Sequence, residues 1–313
     1  MSWRETARER LRELQSAGAG WGYRPGAEPN VEPSAYAALA LLATDRPGDE
    51  KSGSIETCRG VADWLLGLQN KDGSIGLSKS QPHPSWPTAH AILLWSAADE
   101  GRSKEARRYA PALKAAIDYL LRFEGKRIPR DPGESIGHDG MISGWPWLAA
   151  THSWVEPTSL AMLALRRRNL DGCNRANDGR KLLRDRVLPD GGWNYGNTVV
   201  LGNTLRPQPG PTGLALLALV GDDPKSEAVK RSGDYLTKLL PTVRAAPSLG
   251  AGLLGLTAWS RRPEAAATWL EEAAPLANDR SDLAYQLAWL LLADGADRSL
   301  SLLGGAPAGG RGR

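Results

Sequence analysis

The sequence predicts an all-α fold, an (α/α)6 toroid, on three observations. Four segments share one start, in which Pro and then Ser or Thr precede a run rich in Ala and Leu. Amphipathic stretches with helical spacing alternate with these apolar runs along the chain. No segment shows the alternation that is typical of a half-buried strand. Because a repeated buried helix needs neighbours on every side, alternating buried and amphipathic helices predict a closed double-walled ring.

The repeated apolar segments predict the inner helices of this ring. Proline is tolerated at the first helical position, where its missing N–H would have no partner. The runs are too short to span a membrane and are apolar on most sides, which predicts burial. Two further apolar runs lack the Pro-Ser/Thr start and complete the six. The predicted inner helices cover 32–41, 86–95, 156–165, 210–219, 248–259 and 282–293.

The amphipathic stretches between these runs predict the outer helices, because each has a single apolar stripe. They cover 2–15, 55–69, 105–123, 174–188, 225–240 and 263–274. Pro111 is expected to kink or restart the third of them. The chain is therefore predicted to form one toroid domain over 1–300, followed by a flexible Gly/Arg-rich tail at 301–313.

The lengths of the connections predict which end of the ring carries a site. Connections from outer to inner helices are long, whereas those from inner to outer helices are short. Long connections usually carry function. The long ones all lie at the end where inner helices begin and where helix N-termini concentrate partial positive charge. They are 17–31, 70–86, 124–155 and 189–209.

Composition restricts the classes of partner. The chain has 39 Lys and Arg against 35 Asp and Glu, with no basic stripe, so nucleic acid is not expected as a partner. Its two cysteines give no disulfide framework, and its charged N-terminal segment does not resemble a signal peptide. These features predict a cytoplasmic location. A peripheral membrane contact at the rim and the oligomeric state stay open.

The predicted site end gathers all four histidines and several acids. Asp72, Asp139 and Asp190 stand in Asp-Gly pairs, which favours a turn role. Glu32 and Glu156 directly precede the proline of an inner helix, where they act either as helix caps or in chemistry. The histidines are His83, His90, His138 and His152, and the other acids are Glu28, Asp131 and Glu134.

Tryptophan is the second unusual feature of this end. The chain has 12 Trp and a single Phe, and half of the Trp residues fall in or beside Gly/Pro-rich connections. Each ring either plugs the end of a helix pair or contributes to a binding surface. As a binding surface the predicted set is Trp21, Glu32, Trp86, Trp145, Trp147, Trp154, Trp193 and Tyr195.

A metal site is not expected. His138, Asp139, His152 and Glu156 could share a metal, but they lack a diagnostic spacing. The chain also has no nucleophile elbow and no phosphate-binding glycine loop. No cofactor is therefore predicted.

Three segments resemble the Gln-Trp repeats of squalene–hopene and oxidosqualene cyclases. The clearest is 64–76, which reads Trp-Leu-Leu-Gly-Leu-Gln-Asn-Lys-Asp-Gly-Ser-Ile-Gly, with Ile75 where Trp is usual. Leu14-Gln15 followed by Gly20-Trp21-Gly22-Tyr23, and the segment 190–196, are similar. The resemblance covers about residues 1–220. It implies the α/α toroid of terpenoid cyclases and protein prenyltransferases, with a hydrophobic, isoprenoid-like ligand in a central cavity.

The chain departs from both activities of that superfamily. Class II cyclases use an Asp-x-Asp-Asp-Thr motif, and the matching stretch here places Glu156 at the position of the protonating acid. Trp154 and Pro157 stand where helper carboxylates are found. Asp171 and Cys173 match two zinc ligands of the prenyltransferases, but the later His is absent.

Three functions follow as hypotheses. The first is a terpenoid-type enzyme in which Glu156 is the acid, His152 or His90 tunes it, and Trp rings stabilise cations. The second is an inactive toroid that binds a hydrophobic ligand or serves as an accessory protein. The third is a carbohydrate-active (α/α)6 enzyme with two carboxylates, either Glu32 with Glu156 or Glu156 with Asp190. The apolar inner helices favour the first two hypotheses.

Overall fold

The computed structural model describes residues 1–16, 20–45, 53–83, 85–101, 103, 107–129 and 137–305. Within them, outer and inner helices alternate as the sequence predicts. The outer helices are α1 (Trp3–Leu14), α3 (Ser54–Leu66), α5 (Ala110–Arg122), α7 (Asn174–Asp185), α9 (Glu227–Leu239) and α11 (Ala266–Ala277). The inner helices are α2 (Val31–Ala43), α4 (Thr88–Ala98), α6 (Val155–Arg167), α8 (Pro209–Ala218), α10 (Ala246–Ala258) and α12 (Leu283–Asp294).

The inner helices form a closed ring. Each packs against the next one along the chain, and α12 packs back against α2. The inner helices are buried on almost every side, whereas each outer helix buries only one stripe of side chains. The predicted (α/α)6 toroid is therefore confirmed.

A hydroxyl group explains why each of the first four inner helices begins with Pro and then Ser or Thr. The hydroxyl oxygen accepts a hydrogen bond from the backbone N–H of a buried residue in the preceding long connection, which fixes that connection to the helix start. The pairs are Ser34 with Trp21 at 2.8 Å, Thr88 with Ile75 at 2.9 Å, Thr158 with Trp145 at 3.0 Å, and Thr212 with Trp193 at 2.9 Å.

Three of the four residues bound in this way are tryptophans that plug the ends of outer helices. Trp21, Trp145 and Trp193 are at most 1% exposed. Their indole N–H groups donate to backbone carbonyls near the ends of outer helices, at Leu11, Leu120 and Leu183, over 2.7, 2.8 and 2.7 Å. Since the last carbonyls of a helix lack intrahelical donors, each indole satisfies a group that would otherwise be buried without a partner. The structural-plug hypothesis is correct for these three rings.

The hydroxyl–plug contact gives a stability prediction. Thr158→Val keeps the side-chain volume but leaves the buried N–H of Trp145 without its acceptor, so we expect unfolding free energy to fall by about 1–3 kcal/mol. Urea denaturation of the purified variant measures the change. Thr237→Val is the matched control, because Thr237 lies on the exposed face of α9 and bonds only within its own helix and to a surface arginine. Equal effects of the two substitutions would contradict this role for the hydroxyl.

The structure adds two elements that the sequence analysis did not predict. A short helix, α13 (Ala296–Leu302), packs against α2, α4, α10 and α12 at the end where inner helices finish. A small hairpin, β1 (Val199–Val200) paired with β2 (Asn203–Thr204), projects from the connection between α7 and α8.

Helix α13 crosses the boundary predicted at residue 300. Leu302 and Leu303 are buried, so the start of the predicted tail belongs to the packed domain, while 306–313 lie outside the described residues. Helix α5 begins at Ala110 with Pro111 in its first turn, so the proline restarts the helix as expected. Among the described residues no helix is both long enough and apolar enough to cross a membrane.

Candidate functional site

A cavity of about 220 Å³ opens at the end of the ring where the inner helices begin. Five of the six inner helices and two of the long connections line it. Its lining residues are Glu32, Tyr36, Trp147, Glu156, Leu160, Tyr195, Gly210, Pro211, Leu214, Pro247, Ser248, Ala251, Tyr285 and Trp289. A larger depression of about 520 Å³, between α4 and α5, has a charged lining and contains none of the predicted site residues.

Two carboxylates reach the cavity from equivalent positions in the repeat. Glu32 and Glu156 lie in the first turns of α2 and α6, each directly before the helix proline. In the intervening helix and in α8 this position is held by Trp86 and Gly210. Since α2 and α6 are separated by α4 in the ring, the two glutamates approach one hollow from different sides.

The two glutamates differ in their partners. The hydroxyl of Tyr23 donates a short hydrogen bond to Oε2 of Glu32, and that of Tyr285 donates to Oε1 at 3.4 Å. Glu156 forms no side-chain hydrogen bond with another described residue. The arrangement therefore favours the ionised form of Glu32 over the ionised form of Glu156.

Both carboxyl groups hold protons more tightly than usual. Burial raises the pKa of Glu32 to about 7, although its two tyrosine hydrogen bonds act in the opposite direction. Burial, together with the negative charge of Glu32, raises the pKa of Glu156 to about 7. Because the two groups interact, they titrate as a pair near neutral pH, and one of them carries a proton there.

Aromatic rings form much of the remaining wall. Tyr36 packs against Trp289 with ring centroids 4.7 Å apart and against Tyr285 at 6.0 Å. Trp147 and Tyr195 also line the cavity, and Tyr195 is 48% exposed. Flat rings beside two carboxyl groups give the cavity both an apolar stacking surface and proton-transfer groups.

His90 lies behind this wall. Its ring contacts Tyr36 at 4.9 Å and Trp86 at 5.3 Å, and it is 1% exposed. Burial lowers its pKa to about 3, so the imidazole is neutral. Neither ring nitrogen has a hydrogen-bond partner in the described part of the chain. His90 therefore supports the aromatic wall and does not line the cavity.

The other predicted residues divide into three groups. Trp147 and Tyr195 line the cavity with the two glutamates, and Trp86 packs behind Trp147 at 4.7 Å. His152 stacks on Trp154 at 4.4 Å and faces a separate pocket. Trp21, Trp145 and Trp193, which plug outer helices, are buried and do not line the cavity.

The remaining acids at this end have structural partners or lie apart. Asp72 accepts from the backbone of Ser74, and Asp139 from that of Met141, as their turn role predicts. Glu28 binds Ser78 and Ser80. Asp190 does not line the cavity, which leaves Glu32 as the partner of Glu156. Asp131 and Glu134 lie outside the described residues. No group of three or more His, Cys, Asp or Glu residues suited to a metal occurs within the described ranges.

Three aromatic residues that line the cavity, and one tyrosine that binds Glu32 without lining it, were missed in the sequence. Tyr36 follows Glu32 by one helical turn, a spacing that could have indicated it. Tyr285 and Trp289 have the same spacing on α12, but that helix lacks the Pro-Ser/Thr start. Tyr23 adjoins the plug Trp21 and points to Glu32.

Comparison with known proteins supports the fold. No family model matches this chain. No curated protein matches it either. A wild-type glycosidase structure is similar with a TM-score of 0.61 at 12% identity, covering 95% of this chain and 96% of that one. A crystal structure of a protein from Actinoplanes has a TM-score of 0.56 at 15% identity, with 94% and 99% covered.

An alpha-2-macroglobulin structure shares the architecture over a small part of its length. The native conformation of the E. coli protein is similar with a TM-score of 0.50 at 16% identity. The similar region covers 94% of this chain but only 17% of that protein. At these identities the comparisons establish the α/α toroid fold alone. The resemblance to terpenoid cyclases is confirmed at the level of the toroid and stays a prediction beyond it.

Proposed function

We propose that this protein hydrolyses glycosidic bonds, with Glu156 as general acid and Glu32 as the second carboxylate. The observation that supports this is the meeting of the two glutamates in one aromatic-walled cavity, each with a pKa raised to about 7. Most glycoside hydrolases act through such a pair, one protonated and one ionised. The similar fold of a structure described as a glycosidase agrees with this proposal.

In this proposal the asymmetry of the pair sets the roles. Glu156, which has no hydrogen-bond donor among the described residues and lies near the negative charge of Glu32, carries the proton and gives it to the glycosidic oxygen as the C–O bond breaks. Glu32, held by Tyr23 and Tyr285, supplies the negative charge that attacks the anomeric carbon or activates a water molecule. The rings of Tyr36, Trp147 and Trp289 stack on sugar faces.

An isoprenoid cyclase remains the alternative at the same site. Glu156 in its protonated form would protonate an alkene, and the aromatic wall would stabilise a carbocation. The size of the cavity favours the sugar, because about 220 Å³ is below the roughly 300–1,000 Å³ of pockets that enclose drug-sized ligands. One sugar ring needs less room than a polyprenyl chain. An accessory protein would use the same cavity for binding without turnover.

A substrate panel tests the proposal. The protein is incubated with aryl glycosides of different sugars and with oligosaccharides, and released phenol and reducing ends are measured. We expect turnover by the wild type and none by the double variant Glu32→Gln/Glu156→Gln. Glu28→Gln is the control, since Glu28 lies in the connection that leads into α2, close to Glu32 in the chain, but does not line the cavity. Conversion of polyprenyl substrates without any glycoside cleavage would support the cyclase, and binding without any product the accessory role.

A further inference from the structure

A second pocket of about 190 Å³ lies beside the cavity and has a basic lining. Five of its lining residues have side chains that carry nitrogen, and no carboxylate is among its described lining residues; the five are Lys126, His138, His152, Arg186 and Asn197. Arg186 is only 3% exposed, and two hydrogen bonds hold its guanidinium group in position. Its Nε donates to Asp185 at 3.2 Å and its Nη1 to the carbonyl of Gly196 at 2.8 Å. Nη2 has no hydrogen-bond partner in the described ranges of the chain.

The two histidines in this pocket carry buried nitrogen atoms without a bonding partner. Nδ1 of His138 and Nε2 of His152 are inaccessible to water and form no hydrogen bond with any described residue. Burial, the nearby charge of Arg186 and His152 lower the pKa of His138 to about 4, against a smaller opposite effect of Asp139. Buried polar atoms are nearly always paired, so these two nitrogens are hydrogen-bonding capacity that no described residue uses.

The basic pocket and the cavity are lined by neighbouring residues of the same two segments. Tyr195 lines the cavity and Asn197 lines the pocket, with Gly196 between them bound to Arg186. On the other side, Trp154 stacks on His152 and directly precedes α6, which carries Glu156. Segments that line the cavity therefore continue within two to four residues into the lining of the basic pocket.

We propose that the basic pocket binds the anionic group of an acidic sugar, so that the substrate class is a glycoside containing uronic acid. This assignment rests on the proposed glycosidase function, since it names the substrate for the same site. Lys126 and Arg186 supply positive charge to a carboxylate, and His138, His152 and Asn197 supply hydrogen-bond donors. Charge-assisted bonds of this kind are the strong ones in recognition.

Binding titrations test the proposal independently of turnover. Calorimetry with D-glucuronate and with D-glucose compares two sugars that differ in one carboxylate, and sodium sulfate at constant ionic strength tests a free anion. We expect glucuronate to bind about tenfold more tightly than glucose, as one charge-assisted hydrogen bond allows. Lys126→Ala should remove about this factor for glucuronate and leave glucose binding unchanged. Lys126→Arg should retain it.

Arg127→Ala is the matched control, because Arg127 is the next residue, is exposed and pairs with Glu124 outside the pocket. Equal affinities for glucuronate and glucose, an equal loss in the Arg127 variant, or binding of sulfate without glucuronate would overturn the proposal. Selective glucuronate binding without hydrolysis of any glycoside would uphold the pocket and refute the hydrolase. Hydrolysis restricted to neutral glycosides would uphold the hydrolase and refute the binding of an acidic sugar in the pocket.

Discussion

Glu156→Gln should abolish cleavage of glycosides with poor leaving groups and make the protein more stable at pH 8. An amide cannot give a proton to the glycosidic oxygen, and loss of a general acid costs about 10²–10⁴-fold in rate. Substrates whose leaving group needs no proton, such as dinitrophenolate, should keep most of their cleavage rate. Glu32→Gln should eliminate turnover of both substrate types, because the second carboxylate acts whatever the leaving group. Steady-state kinetics on the two substrate types measures the difference.

The stability effect follows from the direction of the pKa shift. The pKa of Glu156 lies at about 7 in the folded protein and at its ordinary value near 4.5 in the unfolded chain. The folded state therefore binds this proton more tightly than the unfolded chain does. The stabilisation that the bound proton gives is fully present below pH 4.5 and is lost as the pH rises through 7. Between these limits the wild type should lose about 3 kcal/mol of unfolding free energy from this group, and the glutamine variant should not.

Urea denaturation at pH 4.5 and pH 8 tests the effect. We expect the variant to exceed the wild type in stability only at the higher pH. Glu28→Gln serves as the control, since Glu28 is fully exposed and its carboxylate is stabilised by Ser80, so its pKa is lowered. A Glu156→Gln protein that is less stable than the wild type at pH 8 would show that the glutamate is a structural cap and not a strained catalytic group.

The sequence predicted the toroid well because the repeated signal has a local cause. The hydroxyl of Thr158 bonds to Trp145 thirteen residues earlier, and Ser34 and Thr88 reach back over the same distance. A contact of short sequence separation leaves a regular trace along the chain. The same contact explains why Trp recurs at three places in the connections, where Trp21, Trp145 and Trp193 plug outer helices and do not line the cavity.

The candidate site was predicted only in part, because ring closure brings distant segments together. Glu32 meets Tyr285 across 253 residues, and no local pattern indicates that pairing. Glu156 and Trp147 could be found from the proline-marked helix start and its long connection. Of the basic pocket, the sequence analysis identified only two histidines, His138 and His152. Their common surroundings appear only in three dimensions.

Gly213→Ala should be the most destabilising small substitution in the ring. Helices α8 and α10 approach so closely that a methyl group on Gly213 would lie 2.1 Å from the carbonyl oxygen of Ala251 and 2.6 Å from the backbone nitrogen of Gly252. The approach is mutual, since a methyl group on Gly255 would lie 2.7 Å from the carbonyl oxygen of Gly213. Backbone atoms in a packed interior have no free space to move into, so the two helices must separate.

The expected loss of unfolding free energy is about 3 kcal/mol, at the upper end for overpacked cores, despite a gain of about 1 kcal/mol in helix propensity. Gly60→Ala is the matched control, because Gly60 is exposed in the middle of α3 and a methyl group there meets nothing within 4 Å. That variant should gain about 0.5–1 kcal/mol. Thermal and urea denaturation of both variants give the comparison, and similar stabilities would contradict a tight α8–α10 contact.

The same substitution connects packing to the site. Leu214 on α8 and Ala251 on α10 both line the cavity, so a wider gap between these helices enlarges it. We therefore expect Gly213→Ala to weaken sugar binding even at temperatures where the protein remains folded. Calorimetry at low temperature, with circular dichroism to confirm folding, separates this effect from unfolding. Unchanged binding in the folded variant would mean that the cavity is held open by α2, α6 and α12 alone.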